Sequence, residues 1–226
     1  MILEMTRPVQ GGLRQERKLE AVSNHIANAD TAGFKRDVLS FDKQFRARMN
    51  TDLSQGIVKQ TNNKLDLALK DEGFFKIDTS AGIRYTRNGN FTLDNNGVLV
   101  DKTGNLVLGK GGAIVVNGDN IDINRAGEVR VDGVLKDKLD IITFDNLTLL
   151  EKEGANNYTY KGDTRDEIQP LNVLIEQGAL EGSNVQVVDE MVSMIDHHRM
   201  YETYQKMMLT FDEIDGKAIN DIGQLQ

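Results

Sequence analysis

The stretch SNVQVVDEMVSMIDHHRMYETYQKMM, residues 183–208, decides how the chain folds. Val187, Met194, Tyr201 and Met208 recur every seven residues, Met191, His198 and Gln205 interleave at a second position, and Val188 and Ile195 widen the stripe. A seven-residue repeat keeps one helix face against a partner helix, so a long helix with a coiled-coil-like seam is expected here. Its start reads as a capping box, in which Ser183 and Gln186 satisfy each other's backbone donors.

The other end carries the same design. Ile2, Met5, Val9, Leu13, Leu19, Val22 and Ile26 drift around a wheel of about 3.6 residues per turn but form one stripe at about 3.5. Ile2 and Val9 share one heptad position, and Met5, Leu19 and Ile26 share the other. Gly12, Glu16 and Ser23 interrupt both positions, so a crowded multi-helix setting suits this segment better than an isolated two-stranded zipper. Pro8 suits a first turn and not an interior, which predicts regular helix from Arg7 or Pro8 after a kinked or frayed start.

Between Leu65 and about Leu174 the period falls to two, as in Leu65–Leu69, Ile83–Thr86, Phe91–Leu93, Ile121–Ile123 and Val129–Val131. Asn88-Gly89, Asn95-Asn96-Gly97, Thr103-Gly104, Asn117-Gly118, Ala126-Gly127 and Asp132-Gly133 punctuate these runs with tight-turn signals. No helical period alternates with the strands, which disfavours a doubly wound parallel sheet. The stretch from Phe34 to Asn63 is polar and mixed in period, and reads as an extended connector. The fold class is therefore α+β: long N- and C-terminal helices form a coiled-coil-like assembly domain around a central, mostly antiparallel β domain. The expected boundaries are 1–33 with 181–226 for the discontinuous helical part, 34–64 for the connector and 65–180 for the β domain.

The 226 residues allow one large domain or two modest ones. With 27 Lys plus Arg against 35 Asp plus Glu, the net charge of −8 argues against gripping nucleic acid or an anionic membrane. The count of 0 Cys removes disulfides, thiolate metal sites and cysteine nucleophiles, and leaves the redox compartment open. Met1–Gly11 lacks the apolar run and cleavage site of a secretory signal, and no segment nears the roughly 18 consecutive apolar residues that span a bilayer. Neither a cleavable signal nor membrane insertion is expected.

Chemistry-bearing patterns are weak. Asp94–Gly97 and Asp122–Gly127 resemble calcium-loop fragments without the bidentate Glu of a complete loop, and read as turns. Gly109-Lys110-Gly111-Gly112 has no Ser or Thr after the Lys and leads into a strand, so it reads as a turn and not a phosphate cradle. His197 and His198 point about 100° apart on a helix and cannot share one metal unaided; a packed or solvated pair is expected. No Ser, His and Asp grouping forms a nucleophile elbow. Catalytic, cofactor and metal residues are expected to be none.

Three blocks remain. The first is Ser23-Asn24-His25-Ile26-Ala27-Asn28-Ala29-Asp30-Thr31-Ala32-Gly33-Phe34-Lys35. The second is Leu67-Ala68-Leu69-Lys70-Asp71-Glu72-Gly73-Phe74-Phe75, continued by Tyr85-Thr86-Arg87-Asn88-Gly89-Asn90-Phe91 to Gly97. The third is Leu180-Glu181-Gly182-Ser183-Asn184-Val185, followed by Glu190-Met191-Val192, Met194-Ile195, Arg199 and Tyr201-Glu202. Together, over nearly the whole chain, they resemble the flagellar basal-body rod and hook family of axial proteins. Ala32 replaces the family's usual proline, and Asp71 stands where glycine is usual.

The resemblance implies a structural, non-enzymatic subunit of the rod, polymerising into the helical drive shaft that transmits torque from motor to hook. It implies partners among copies of itself and other axial proteins, both rotor-side and hook-side. It also implies export through the flagellar type III apparatus without a cleavable signal, and a place in the basal body across the periplasm or cell wall. The short β region is closer to a proximal rod protein than to a distal rod protein or hook subunit, which stay as alternatives. From another class, a secreted β-rich carbohydrate-active enzyme or adhesin would need a groove with converging carboxylates. On the rod reading, the assembly interface takes Val9, Leu19, Asn24, Ile26, Asn28, Thr31 and Gly33 from the first end. From the second it takes Val187, Met191, Met194, Ile195, His198, Tyr201 and Met208. Gly33 is either a special turn joining helix to connector or a helix C-cap. The two ends are expected to order fully only on assembly, because half-exposed seams offset little of their ordering entropy.

Overall fold

In the computed structural model, which describes residues 2–41, 47–118, 120–154 and 156–223, the chain opens and closes on long helices, α1 (Ile2–Ala27) and α2 (Val187–Gly223). Contacts group residues 1–28, 37–50 and 185–226 into one compact unit, and 29–36 with 51–184 into another.

The helical unit is built on repeated contacts between α1 and α2. His25 approaches Glu190 at 3.1 Å, the Lys18 charge acts on His197, and an ideal Cβ on Gly11 would lie 2.4 Å from the Tyr204 ring. These three levels step by seven residues along both helices, in opposite directions. The repeat through Met194, Tyr201 and Met208 faces inward as expected, and all three are half-buried. Its companion position does not: Glu190, His197 and Tyr204 occupy it, while Met191 is exposed and Gln205 is exposed too. Both candidate positions are comparably polar, so hydropathy could not separate them, and the bare backbone at Gly11 and Gly12 selects the one that brings in Tyr204. On α1 the position of Leu19 and Ile26 is half-buried, but Val9, Glu16 and Ser23 are exposed; Val22 and His25 are buried instead.

Two further expectations are corrected. α1 runs continuously through Pro8, which sits inside the helix and forfeits one backbone bond without ending it. α2 starts at Val187 and not after Ser183: Glu190 N–H bonds the Gln186 carbonyl at 3.0 Å, and Asp189 and Glu190 place negative charge in the first turn, where the helix dipole favours it. The stretch read as a connector carries strands Asp37–Phe41, Ala47–Thr51 and Val58–Gln60. The first two pair, and Arg14 of α1 stacks its guanidinium 4.9 Å from the centre of the Phe41 ring.

The second unit is β-rich. Among the described residues its largest sheet has ten strands: seven run from Leu150–Gly154 through Asn157–Tyr160, Gly82–Thr86, Phe74–Thr79, Leu106–Gly109 and Leu99–Asp101 to Phe91–Leu93, and Gly112–Ala113, Ile141–Phe144 and Glu167–Ile168 pair off that path. Ile121–Ile123, Glu128–Val131 and Val134–Lys138 form a three-stranded antiparallel sheet. Ile175–Gln177 pairs with Leu67–Leu69, and Ala179–Glu181 with Val58–Gln60, both antiparallel. Successive side chains on a strand point to opposite faces, so adjacent Phe74 and Phe75 feed two different clusters. Phe75 meets Phe91 edge-on at 5.1 Å, and Tyr85 meets Phe144 edge-on at 4.9 Å.

Three turns repeat one device. Asp94, Asp101 and Asn124 each accept, through Oδ1, the N–H groups two and four residues on, with a positive-φ glycine at Gly97, Gly104 and Gly127 between them. The Asp94 carboxylate is thus committed to its own turn, and those bonds hold its pKa low. The turn reading of the calcium-like fragment holds there, and Asp122 lies in strand Ile121–Ile123.

Phe75→Ala should cost the β unit about 3–5 kcal/mol in urea unfolding, because it empties a fully buried ring site. A second expectation concerns pH. Burial first, and then Lys18, push the His197 pKa below its ordinary 6.5. The native state therefore binds that proton less readily than the unfolded chain, so the contribution is full above about pH 6.5 and is lost as pH falls. Thermal melts should show the wild type losing ground to His197→Gln on acidification; parallel curves would contradict this.

Candidate functional site: a buried charge node

Four segments of the β-rich unit cross at one point: 31–36, 51–57, 87–89 and 181–184. Glycines let them touch. Gly33 has φ +69°, and a Cβ there would lie 2.5 Å from the Asn88 backbone nitrogen. A Cβ on Gly56 would sit 2.0 Å from the Gly182 carbonyl, and one on Gly89 only 1.7 Å from that of Leu67. Asn88-Gly89 is therefore a chain crossing and not the tight hairpin turn its dipeptide suggests. Gly33, several residues beyond the end of α1, is the joining turn and not a helix C-cap; its N–H donates to the Glu181 carbonyl at 2.8 Å.

At the crossing lie Lys35, Glu181 and Arg87, which are 0%, 1% and 5% exposed. Lys35 Nζ donates to Glu181 Oε1 at 2.5 Å and to the Ser54 carbonyl at 2.7 Å. The same carboxylate oxygen accepts the Gly56 N–H at 2.9 Å, while Glu181 Oε2 lies 3.5 Å from Arg87 Nη1. Arg87 donates to the Asp71 carbonyl at 2.8 Å and stacks 5.4 Å from the Phe74 ring centre. Desolvation lowers the Lys35 pKa, and the Glu181 charge opposes that shift.

Asn184 completes the clamp. Its Oδ1 accepts the Arg36 N–H at 2.8 Å, and its Nδ2 donates to the Asp52 carbonyl at 2.8 Å. This tertiary use of Asn184 explains why the chain around Ser183 serves the crossing and does not open the helix. Lys152 places its ammonium 4.6 Å from the Phe34 ring centre, and Asn156 donates to the Ala32 carbonyl at 3.0 Å. The node is a mechanical joint: its charges are sealed from solvent and engaged with one another.

The residues named from sequence fall elsewhere, except Gly33 and Thr31, which lie in the 31–36 segment. Val187, Met191, Ile195 and His198 are exposed on α2, as is Val9 on α1; Met194, Tyr201, Met208, Leu19 and Ile26 are half-buried. Asn24 is exposed, and its carbonyl accepts from the Asn28 side chain at 2.9 Å; the Thr31 carbonyl accepts the Phe34 N–H at 3.3 Å. His197 is half-buried and His198 lies 3.4 Å from Glu202, so the two part company as a helix requires. Among the described residues no three His, Asp or Glu side chains gather as a metal set, and no helix is long and apolar enough to cross a membrane.

Lys35, Arg87 and Glu181 belong one to each of the three blocks singled out in the sequence. Those blocks match known family models: "Flagella basal body rod protein" over residues 11–35, "Flagellar hook protein FlgE/F/G D1 domain" over 68–131, and "Flagellar basal body rod FlgEFG protein C-terminal" over 176–221. The flagellar basal-body rod protein FlgF of Caulobacter vibrioides is 32% identical over 92% of this chain and 93% of its own. The chain belongs to the flagellar basal-body rod family. FlgG of Bacillus subtilis is 31% identical over 97% of this chain and 99% of its own length. The hook protein FlgE of Salmonella typhimurium is 32% identical over 44% of this chain but only 27% of its own. As a member of the rod family, the chain is a structural subunit of the flagellar rod.

Glu181→Leu would leave Lys35 and Arg87 buried without their carboxylate and should destabilise the β unit by about 3–5 kcal/mol. Lys35→Met/Glu181→Leu should recover a large part of that loss in urea midpoints. Strictly additive single-variant losses would show that the two residues are not coupled.

Proposed function

We propose that this rod subunit works by helical polymerisation, and that its two helices form the coiled-coil-like assembly domain while the β-rich part links and stiffens neighbouring subunits. The domain division that serves this role is 1–33 with 181–226 for assembly, 34–64 as connector and 65–180 as β domain. Polymerised around a common axis, the subunits make the drive shaft that carries torque from motor to hook. Their partners are further copies and other axial proteins on the rotor and hook sides, within a rod that crosses the periplasm or cell wall. Export is through the flagellar type III apparatus, with no cleaved signal, and no reaction is catalysed.

The observation that carries this reading is the amount of apolar side chain left uncovered on α2. Val188, Met191, Val192 and Ile195 are each more than half exposed, beside Val187 at 41%. A run of this kind marks an interaction surface more often than a solvated face. The assembly residues then divide by role. Met194, Tyr201, Met208, Leu19 and Ile26 hold the helix pair, and Val9, Val187, Met191, Ile195 and His198 meet neighbours. Asn24, Asn28, Thr31 and Gly33 shape the segment after α1.

Hydrogen exchange tests the reading. Amides across Leu13 to Ile26 and Met191 to Met208 should exchange readily in dilute monomer and become protected when the protein polymerises. Equal, strong protection in both states would contradict it. Met194→Asp or Tyr201→Asp should keep the β-unit signal but block incorporation into rods, since a buried unpaired charge costs several kcal/mol, about 3–5.

A further inference from the structure

α2 has two working faces. Glu190, Met194, His197, Tyr201 and Tyr204 line the side toward α1. On the opposite side Val188, Val192, Ile195, Arg199 and Glu202 repeat the same alternating steps of four and three. Val188, Val192 and Ile195 are 73%, 55% and 52% exposed, and Arg199 and Glu202 are exposed as well. A helix with coiled-coil spacing on two opposite faces is built to lie between two partners, and the chain supplies one of them.

The same unit holds a groove of about 580 Å³ between α1 and the paired strands Asp37–Phe41 and Ala47–Thr51. Arg17, Glu20, Ala21 and Asn24 line it from α1, and Asp37, Leu39 and Met49 from the strands. Leu39 and Met49 make an apolar wall, Asp37 adds a negative charge beside it, and the helical edge carries Arg17 and Glu20. We propose that this groove receives the outer stripe of α2 from a second copy of the chain, laid antiparallel to the α1 that it meets.

The order of charges chooses both occupant and direction. Arg17 precedes Glu20 by three residues on α1, and Arg199 precedes Glu202 by three on α2. In antiparallel docking Arg17 meets Glu202 and Glu20 meets Arg199. In parallel docking like charges meet at both levels. One turn further on, Ile195 comes level with Asn24, and Val192 with Ala27 at the end of α1. Groove and stripe are different surfaces of one molecule, so each copy that docks offers a fresh groove or a fresh stripe. Such a contact is heterologous, and it extends a filament wherever its rotation does not close a ring.

This inference rests on the self-assembly reading above and adds the pair of faces that meet. The natural chain has 0 Cys, so introduced cysteines report without background. Full-length Asn24→Cys and Ile195→Cys chains, mixed and oxidised, should form a disulfide between copies, and the chain carrying both should give a ladder of oligomers. Arg17→Glu should weaken association in sedimentation velocity by about tenfold. Arg17→Glu/Glu202→Arg should restore it. Association that persists without the 24–195 bond and ignores Arg17→Glu overturns the docking and leaves self-assembly standing. A chain that stays monomeric at every concentration overturns self-assembly and the docking with it. An Ile195→Cys chain that cross-links to a different axial protein carrying an introduced cysteine, and never to Asn24→Cys of a second copy, overturns the choice of a second copy.

Discussion

A buried carboxylate between two buried cations governs the β-rich unit. Glu181 meets Lys35, which follows the first helix, and Arg87, from within the sheets, at a point nearly closed to water. None of the three charges is tolerable there alone. Their meeting requires the turn at 31–36, the strand Ala179–Glu181 and the Arg87 segment to be in place together, and glycines at 33, 56, 89 and 182 remove the side chains that would keep the backbones apart. Hydrophobic clusters supply bulk stability on either face of the main sheet, while this node pins the turn at 31–36 to strand Ala179–Glu181 and to the Arg87 segment.

The helical unit solves a different problem with similar means. Its seam mixes apolar Met194 and Met208 with Glu190, His197 and Tyr204, so the polar contacts define register while the methionines adapt. His25 shows how closely this is specified. Its Nε2 accepts the Asp37 N–H at 2.9 Å, which leaves Nδ1 to carry the proton toward Glu190 at 3.1 Å. One imidazole thereby ties α1, α2 and strand Asp37–Phe41.

What the sequence disclosed depended on range. The turns at Asp94, Asp101 and Asn124 were readable because everything they need lies within five residues. Strands such as Phe91–Leu93 and Ile121–Ile123 were readable from alternation alone. The repeat through Met194, Tyr201 and Met208 was readable too, but its companion was not, because choosing between Met191 and Glu190 requires knowing what the other helix presents. Asn88-Gly89 and Ser183–Gln186 look local and are not: the first crosses Leu67, and in the second Asn184 is drawn away to hold Arg36 and Asp52. Lys35 and Glu181 stand 146 positions apart and leave no periodic trace. The one available hint was that each charged member of the node sits within two residues of a glycine inside a block that resembles the family.

The seven-residue ladder between α1 and α2 has a mechanical side. Sliding α2 by one repeat in one direction would bring His197 against His25 and Tyr204 against Lys18; in the other it would set Glu190 against Lys18 and leave His25 without its carboxylate. Neither slipped frame reproduces the contacts of the native one, so the helices have no nearby notch in which to rest. Tension along the pair is therefore shared among all three rungs, and no single rung can slip to the next while the others hold.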